Sequence, residues 1–278
     1  MLRFRNPQPH NHSMLVLSNL KGAFTPVCKA ASSSLILTLA EDCYDEEYIE
    51  SEKQLHGHYY NGLMRKKMHT EFAKSPCNPE VREEIKNYFK FAFVKNPWHR
   101  MVSACLQLRR WIDNKIVKDD FKGLHLLKLY DLMNKDYSFE NFVHFVKNVE
   151  RNHTEYVNQH WRSQVGILQM DAFPSCKTTY DFIGKLETAD EDWDYIVKKL
   201  NLRTKKLKQM NSTKNLKTAV HVKDNLQKTR EIQMNGILKT AVEEDYDYRD
   251  FYTNSKLIDD VGEYFTRDIE LLKYEYGK

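Results

Sequence analysis

The sequence predicts an α/β fold: a single domain in which a central parallel sheet is flanked by helices. Short apolar runs alternate with amphipathic stretches along the chain, as in a parallel sheet with crossover helices. The chain has 278 residues, of which 41% are hydrophobic, so it can bury one large core. Glycine and proline are few, with 9 and 7 residues, which excludes collagen-like and low-complexity classes.

The N-terminal part is predicted to contain a strand, a turn and a helix in that order. Residues 1–20 are rich in Pro, His and Asn, and we expect them to form a flexible segment ahead of a domain over 21–278. GAFTPVCK (22–29) predicts a short buried strand. The small residues AASSS (30–34) follow as a turn, and the first half of 35–55 has the apolar period of a helix.

The rest of the chain continues this alternation. FAFV (91–94) is a run of four apolar residues, which predicts a second buried strand. A helix is predicted in 79–89 because Pro79 and the acids after it are typical of a first helical turn. The stretch 180–188 predicts a strand that ends near Gly184. Periodicity and caps predict helices in 97–115, 138–150, 190–200 and 255–277, the last being a pair or one long helix.

One cation and three hydroxyl groups stand at the start of the first predicted helix, in Lys29, Ser32, Ser33 and Ser34. The first amides of a helix have no intrahelical partner and carry a partial positive charge, so they attract anions. Ala30 and Ala31 are small enough to let the backbone approach such a ligand. An anion site and a plain serine N-cap beside a solvated lysine are both open at this point.

A second cationic group follows the strand FAFV. Lys95 comes directly after the strand, Asn96 suits a helix cap, and Pro97 suits the first helical turn. Arg100 and Ser103 are three residues apart, so they share a helix face and can surround one phosphate together with Lys95. Ligands of parallel sheets collect beyond the carboxyl ends of the strands. The two groups therefore predict a nucleotide phosphorylated at both ends of its ribose.

The charge distribution limits the partners. The net charge is only +4, but residues 203–230 are rich in lysine and are expected to form a solvated surface or an anion-binding flap. This stretch has no aromatic residue, so a single-strand nucleic-acid platform is missing and no nucleic-acid partner is predicted. The Walker A string G-x-x-x-x-G-K-[ST] is absent too, which disfavours an ordinary ATPase or GTPase.

The five cysteines have no metal-site spacing, so no zinc site is predicted. In an oxidising compartment up to two disulfides can form, and Cys43–Cys77 is the pair to test first. Sequons at Asn11, Asn152 and Asn211 favour the secretory lumen slightly. No apolar run is long enough to span a membrane and no signal-peptide core opens the chain. We therefore expect either a soluble protein or a chain that lacks an upstream anchor.

Four stretches resemble motifs of the carbohydrate sulfotransferases, most closely the membrane-bound group that sulfates chondroitin and dermatan, with heparan and uronyl 2-O-sulfotransferases as cousins. FAFVKNPWHRMVSA (91–104) resembles the family segment F-x-F-V-R-x-P-[FW]-x-R-[LM]-V-S-A. VCKAASSSL (27–35) is similar to the family loop P-K-x-x-[SC]-[ST]-[SN], with Cys28 in place of the proline. QHWRSQ with the block 176–192, and the ending 251–277, resemble two further family motifs in the correct order.

The resemblance implies a P-loop-NTPase-like fold and the sulfuryl donor 3′-phosphoadenosine 5′-phosphosulfate (PAPS), with no metal. By position, Lys29 and the small residues after it, through Ser34, match the family loop that binds the 5′-phosphosulfate. An arginine and a serine bind the 3′-phosphate in the family, and they correspond here to Lys95 and Ser103. Of the two cysteines that the family carries ahead of its Tyr-Asp pair, only Cys176 remains.

The implied reaction is in-line transfer of a sulfuryl group to a glycan hydroxyl. Lys29 is expected to stabilise the oxygen that bridges to the departing nucleotide, and a base must accept the hydroxyl proton. Related enzymes tend to carry the catalytic histidine or acid between the two nucleotide motifs, so the candidates are His58, then His56, with His69 third. The family's acceptors are anionic, and the candidate acceptor contacts are Arg109, Arg110, His160 and Arg162.

Two other functions stay open. One is a catalytically degenerate family member that binds PAPS or polyanions without turnover, and the other is an ATP-dependent phosphotransferase. The family consists of type II membrane proteins of the Golgi lumen, so the resemblance implies that compartment, with an anchor that this chain does not show.

Overall fold

The computed structural model describes residues 13–113, 138–149, 158–172, 174, 176–208, 218–219, 241–242 and 247–277. Its strands are β1 (Met14–Leu17), β2 (Gly22–Thr25), β3 (Ala73–Lys74), β4 (Phe89–Val94), β5 (Phe182–Lys185), β6 (Thr218–Ala219) and β7 (Ala241–Val242). Its helices are α1 (Ser32–Cys43), α2 (Glu46–His56), α3 (Tyr60–Phe72), α4 (Pro79–Glu84), α5 (Pro97–Asp113), α6 (Phe139–His144), α7 (Gln164–Ile167), α8 (Ala189–Leu200), α9 (Ser255–Tyr264) and α10 (Thr266–Leu272).

Five strands form one mixed sheet in the order β3-β1-β2-β4-β5, and β6 and β7 form a separate pair. β2, β4 and β5 are mutually parallel neighbours, as expected where helices connect successive strands. β1 is antiparallel to both β2 and β3, and a short turn ending at Lys21, with φ of 50°, reverses the chain between β1 and β2. The predicted α/β class with a parallel core is therefore confirmed, and β1 adds antiparallel pairings at one side.

The strand β1 corrects the prediction of a flexible segment over residues 1–20. Met14–Leu17 has the sequence MLVL, and all four side chains are at most 1% exposed. Burying four apolar side chains against two neighbouring strands offsets the cost of ordering the backbone. Residues 1–12 lie outside the described part of the chain.

The core of the sheet lies along β4, where Phe91, Ala92, Phe93 and Val94 are fully buried. A strand buried on both faces reads as a continuous apolar run, which is why FAFV could be recognised in the sequence. The rings of Phe24 and Phe91 stack with centroids 5.2 Å apart. A Cβ atom at Gly184 would lie 2.7 Å from the Phe93 ring, so the close approach of β5 to β4 requires glycine there.

Side-chain caps set several helix boundaries. The Asp45 carboxylate accepts from the Tyr48 amide at 2.7 Å and starts α2 directly after α1. Asn78 caps α4 ahead of Pro79, and Asn254 caps α9. The segment 255–277 was predicted to hold either one long helix or a pair, and it holds the pair α9 and α10, divided at Phe265.

The predicted disulfide between Cys43 and Cys77 is wrong. Cys77 is bonded to Cys176, 99 residues away in sequence, with their Cα atoms 4.5 Å apart. Cys43 is a free thiol near the end of α1, and burial together with the Asp42 charge raises its pKa to about 12. The fold thus decides a pairing that spacing could not, because any of the other cysteines could have been the partner of Cys77.

The structure divides into two units. The first takes in the chain up to Val94 together with 164–208, and contains the five-stranded sheet. The second takes in 95–163 and the chain from 209 onward, and is built on α5, α6, α9 and α10. No helix in the described ranges is both long enough and apolar enough to cross a membrane.

Candidate active site

The loop after β2 makes a tight turn into α1. Lys29 and Ala31 both have left-handed backbones, with φ of 69° and 56°. Residues other than glycine pay a conformational penalty of about 1 kcal/mol or more in this region, so the surrounding structure must hold the turn. The amide of Ala30 donates to the Val27 carbonyl at 3.1 Å, and Ala30 itself is 1% exposed. The turn therefore has a defined geometry at the strand's carboxyl end, as predicted.

The start of α1 is favourable to an anion. No side chain caps this end of the helix, and its first turn contains no acidic residue. Ser32 and Ser33 are partly exposed, whereas Ser34 is buried and its carbonyl accepts from the Thr38 hydroxyl at 2.8 Å. The alternative in which a serine is the N-cap of this helix is wrong, because the N-cap residue is Ala31.

Arg65, on α3, is a charged residue at this loop that sequence reasoning missed. Its Nη1 donates to the Ser33 hydroxyl at 2.7 Å, and its Nε donates to the Asn61 carbonyl at 3.3 Å. It stands 32 residues from Ser33 in sequence, in no recognised motif. A lone arginine on a helix gives no signal that separates it from a solvated one.

In the second unit, the start of α5 has the predicted cap. The Asn96 side-chain oxygen accepts from the amides of Trp98 at 3.1 Å and His99 at 3.4 Å. The Asn96 side-chain amide donates to the Glu275 carbonyl at 3.0 Å, which anchors the turn to the C-terminal segment. Asn96 is 1% exposed, so these bonds form away from water.

Lys95, just ahead of α5, and Ser103, on α5, are brought together. The Lys95 ammonium donates to the Ser103 hydroxyl at 2.9 Å, and that hydroxyl donates to the His99 carbonyl at 3.1 Å. Lys95 is only 7% exposed. A nearly buried ammonium held by a hydroxyl of the following helix is a suitable point charge for one phosphate.

Arg100 does not share a solvent-facing surface with Ser103, which corrects the predicted grouping. The Arg100 side chain is fully buried, and its two Nη atoms donate to the carbonyls of Arg162 at 2.7 Å and Gln159 at 2.9 Å. These bonds hold the segment 159–162 against α5. Arg100 therefore supports the second unit from inside.

The imidazole of His99 lies next to Lys95 and stacks on Tyr248, with ring centroids 5.0 Å apart and an angle of 9° between the planes. Burial and then the positive charge of Lys95 lower the pKa of His99 to about 3, although Asp247 acts in the opposite direction. The ring is therefore neutral at physiological pH, and Lys95 is the cation of this group.

The candidate bases lie on α2, on α3 and in the turn that joins these helices. His56 ends α2 and has its Nε2 atom 3.5 Å from the Glu52 carboxylate. His58 lies in the 3-10 turn Gly57–Tyr59, and its side chain is outside the described part. Partial burial and then the charge of Arg65 lower the pKa of His69, one helical turn after Arg65 on α3. A neutral His69 is thus favoured in the same neighbourhood as Ser33.

The candidate acceptor contacts have different surroundings. The side chains of Arg109 and Arg110 fall outside the described part, although their backbone belongs to α5. His160 is partly buried and holds its ring against the Asn158 side chain at 2.6 Å. Arg162 is also partly buried. Trp161 packs as expected, since it is 0% exposed and touches Phe142 edge-on at 5.5 Å.

The first residues of the lysine-rich stretch 203–230 pack on α1 instead of forming a free flap. The Arg203 amide donates to the Asp42 carboxylate at 2.5 Å, and the Lys208 amide donates to the Thr38 hydroxyl at 3.0 Å. The Lys208 ammonium also pairs with Glu41. Apart from Thr218–Ala219, the rest of the stretch lies outside the described residues, so a flap there stays a prediction.

The comparisons with known proteins agree with this picture. A model of the sulfotransferase family matches residues 14–275. Carbohydrate sulfotransferase 11 of Rattus norvegicus is 28% identical over 131 residues, which cover 43% of this chain and 35% of that protein. Carbohydrate sulfotransferase 12 of Xenopus laevis is 27% identical over 136 residues (45% and 31%), and carbohydrate sulfotransferase 10 of Gallus gallus is 26% identical over 160 residues (53% and 40%).

The matched stretches span only about a third of the length of the first of these relatives. No solved structure matches the chain. Over the part of the chain that the structure describes, no group of three His, Cys, Asp or Glu side chains could hold a metal ion.

Proposed function

Because the chain belongs to the sulfotransferase family, we propose that it transfers a sulfuryl group from PAPS to a glycan hydroxyl. The similar proteins are carbohydrate sulfotransferases, which supports a glycan as the acceptor class. The observation that carries the proposal is the turn Lys29–Ala31, which opens α1 with no side-chain cap and no acid in the first turn. A lysine beside an uncapped helix start suits a phosphosulfate.

In the proposed reaction, the bond from sulfur to the 5′-phosphate oxygen breaks while a bond from sulfur to the acceptor oxygen forms. Lys29 stabilises the negative charge that develops on the departing oxygen, and the first amides of α1 stabilise the sulfuryl oxygens. A base accepts the proton of the acceptor hydroxyl, with His58 as first candidate and His56 as second. The products are the sulfated acceptor and 3′-phosphoadenosine 5′-phosphate (PAP).

The 3′-phosphate of the donor is proposed to bind Lys95 and Ser103. Their hydrogen bond at 2.9 Å supports this, because it places both donors together: a phosphate can accept from the Lys95 ammonium, and from the Ser103 hydroxyl once its hydrogen turns away from the His99 carbonyl. Lysine supplies one point charge in place of the two-pronged guanidinium of the relatives, so we expect binding at this position to be weaker than with arginine.

We propose Golgi-lumenal glycans of anionic character as acceptors, with Arg109, Arg110, His160 and Arg162 as candidate contacts. The disulfide Cys77–Cys176 supports an oxidising compartment, since such bonds are rare in the cytosol.

The test is transfer of labelled sulfate from PAPS to a panel of chondroitin, dermatan and heparan chains, together with the melting temperature in PAP and in ATP. We expect PAP to raise the melting temperature more than ATP does, and at least one chain to become labelled. Stabilisation by PAP without labelling would favour the degenerate alternative. If PAP has no effect on the melting temperature, the proposed function is wrong.

A further inference from the structure

Arg65 lies beside the first turn of α1 and has no role in the reaction proposed above. Its guanidinium contacts the Ser33 hydroxyl at 2.7 Å, in the first turn of α1, where the phosphosulfate is proposed to bind. The side chain is partly buried, and its Nε is fixed by the Asn61 carbonyl one turn earlier in α3. The guanidinium is therefore held in one place, with its terminal nitrogens at the start of α1.

The charge of Arg65 has no acidic partner in the described part of the chain. Its hydrogen bonds go to a hydroxyl and a carbonyl, both neutral groups. Arginine carries five N–H donors and stays protonated in proteins, so several donors remain for a ligand. Partly buried cations are usually compensated by an anion, and nearby side chains do not supply one here.

Among the described residues, the two neighbours of Arg65 at this end of α1 and on α3 bring no negative charge. The first turn of α1 has no acid, and the neighbouring His69 has a lowered pKa, caused by burial and then by Arg65 itself. Lys67, two residues further along α3, differs in this respect because it forms an ion pair with Glu71 at 3.0 Å. Arg65 thus lies in a neighbourhood that favours an external anion.

We propose that Arg65 is a further catalytic residue, which donates directly to the oxygens of the phosphosulfate and stabilises the charge that develops as sulfur leaves the 5′-phosphate. This inference rests on the proposed function. Arg65 keeps its proton throughout, and its contribution is a fixed charge with donors already oriented before the reaction. The alternative is a positioning role, in which Arg65 only orients Ser33.

The variants Arg65→Met and Arg65→Lys separate these roles, with Lys66→Met as control, because Lys66 is an exposed neighbour on the same helix. With PAPS as donor, we expect kcat to fall about 100-fold in Arg65→Met. In Arg65→Lys we expect a fall of about 10-fold, because lysine keeps the positive charge but lacks the planar group with several oriented N–H donors. The control should stay within about twofold. Equal kcat in parent and Arg65→Met would overturn the proposal.

A double-mutant cycle with Ser33→Ala tests direct contact. If Arg65 touches the phosphosulfate, Arg65→Met still lowers kcat at least about 10-fold when Ser33 is already alanine. If Arg65 only orients Ser33, the second substitution has no further effect, and the catalytic assignment is wrong.

A binding readout separates failure of this inference from failure of the proposed function. Sodium sulfate should raise the melting temperature of the parent and of Lys66→Met, relative to sodium chloride at equal ionic strength, and not that of Arg65→Met. It should also raise the pKa of His69 in an NMR titration, since an anion offsets the Arg65 charge. Sulfate effects without any turnover of PAPS would reject the proposed function and keep the anion site at Arg65. Equal sulfate effects in parent and Arg65→Met would reject the site.

Discussion

The two cation-bearing segments of the molecule, the turn Lys29–Ser34 and the start of α5 at Lys95–Ser103, are built in opposite ways. The first has a left-handed backbone at two non-glycine residues and no side-chain cap. The second has a buried asparagine cap and a lysine already bonded to a serine. The first thus offers backbone donors to a ligand, whereas the second offers a side-chain pair.

This difference suggests a division of labour. Backbone donors and Lys29 can stabilise the negative charge that develops during transfer, because they are already held in place at the start of a helix. The Lys95–Ser103 pair is suited to a phosphate whose charge does not change in the reaction. Substitutions in the first segment should therefore lower kcat, and substitutions in the second should lower nucleotide affinity or stability.

The largest effect is expected from Lys29→Met. We expect kcat to fall about 1000-fold because the departing oxygen loses its cation, while PAP still stabilises the protein. The measurement is sulfate transfer from PAPS at saturating donor. Lys21→Met is the matched control, because Lys21 also has a left-handed backbone, with φ of 50°, and is exposed. A change confined to KM would place Lys29 with the binding residues instead.

The next largest effect is expected in stability, from Arg100→Met. The carbonyls of Gln159 and Arg162 lose two partly buried hydrogen bonds to a charged donor, which should lower the free energy of unfolding by about 3 kcal/mol. Urea unfolding of this variant and of Arg82→Met, an exposed arginine on α4, measures the difference. Unchanged stability in Arg100→Met would mean that the buried guanidinium does not hold the segment 159–162.

The third prediction concerns pH. The pKa of His99 is lowered to about 3 in the folded protein, mainly by burial and then by Lys95, so the unfolded chain takes up a proton first as the pH falls below about 6.5. The contribution of a neutral His99 is complete above pH 6.5 and decreases on acidification, by about 1 kcal/mol per pH unit after allowance for partial exposure.

Unfolding free energies at pH 7, 6 and 5 check this. His99→Gln should flatten the decrease, whereas His144→Gln, at an exposed histidine of α6, should not. Parallel curves for parent and His99→Gln would show that the pKa of His99 is not lowered in the folded protein.

The smallest effect is expected from Ser103→Ala. Removing the hydroxyl should weaken PAP binding about fivefold, because the proposed hydrogen bond to the phosphate is lost together with the bond that holds Lys95. The value of kcat should stay within about twofold. Calorimetric titration with PAP measures the loss. The control is Ser51→Ala, whose hydroxyl bonds a backbone carbonyl of its own helix in a similar way. A drop in kcat larger than the loss of affinity would contradict the division of labour.

The elements that sequence predicted best are those whose signal is local. The run FAFV predicted β4, and Asn96 with Pro97 predicted the start of α5, because burial on both faces and capping leave marks within a few residues. β1 was missed because it has only four residues and follows a Pro- and His-rich stretch. β3 has only two residues, which is too short for any periodicity to show in the sequence.

The parts that sequence could not predict depend on contacts distant along the chain. The burial of Arg100 depends on the carbonyls of segment 159–162, about 60 positions later. The partner of Cys77 stands 99 residues away, and Arg65 reaches a serine 32 residues earlier. No local pattern distinguishes a buried arginine, or one aimed at a loop, from a solvated one.

The proposed 3′-phosphate site is tested most directly by calorimetric binding of PAP and of adenosine 5′-monophosphate, which differ only by the 3′-phosphate, to the parent and to Lys95→Met. We predict that the parent binds PAP at least about 10-fold more tightly, and that Lys95→Met loses this preference while its affinity for the monophosphate stays within about twofold. Equal affinities of the parent for the two nucleotides would show that Lys95 does not bind the 3′-phosphate.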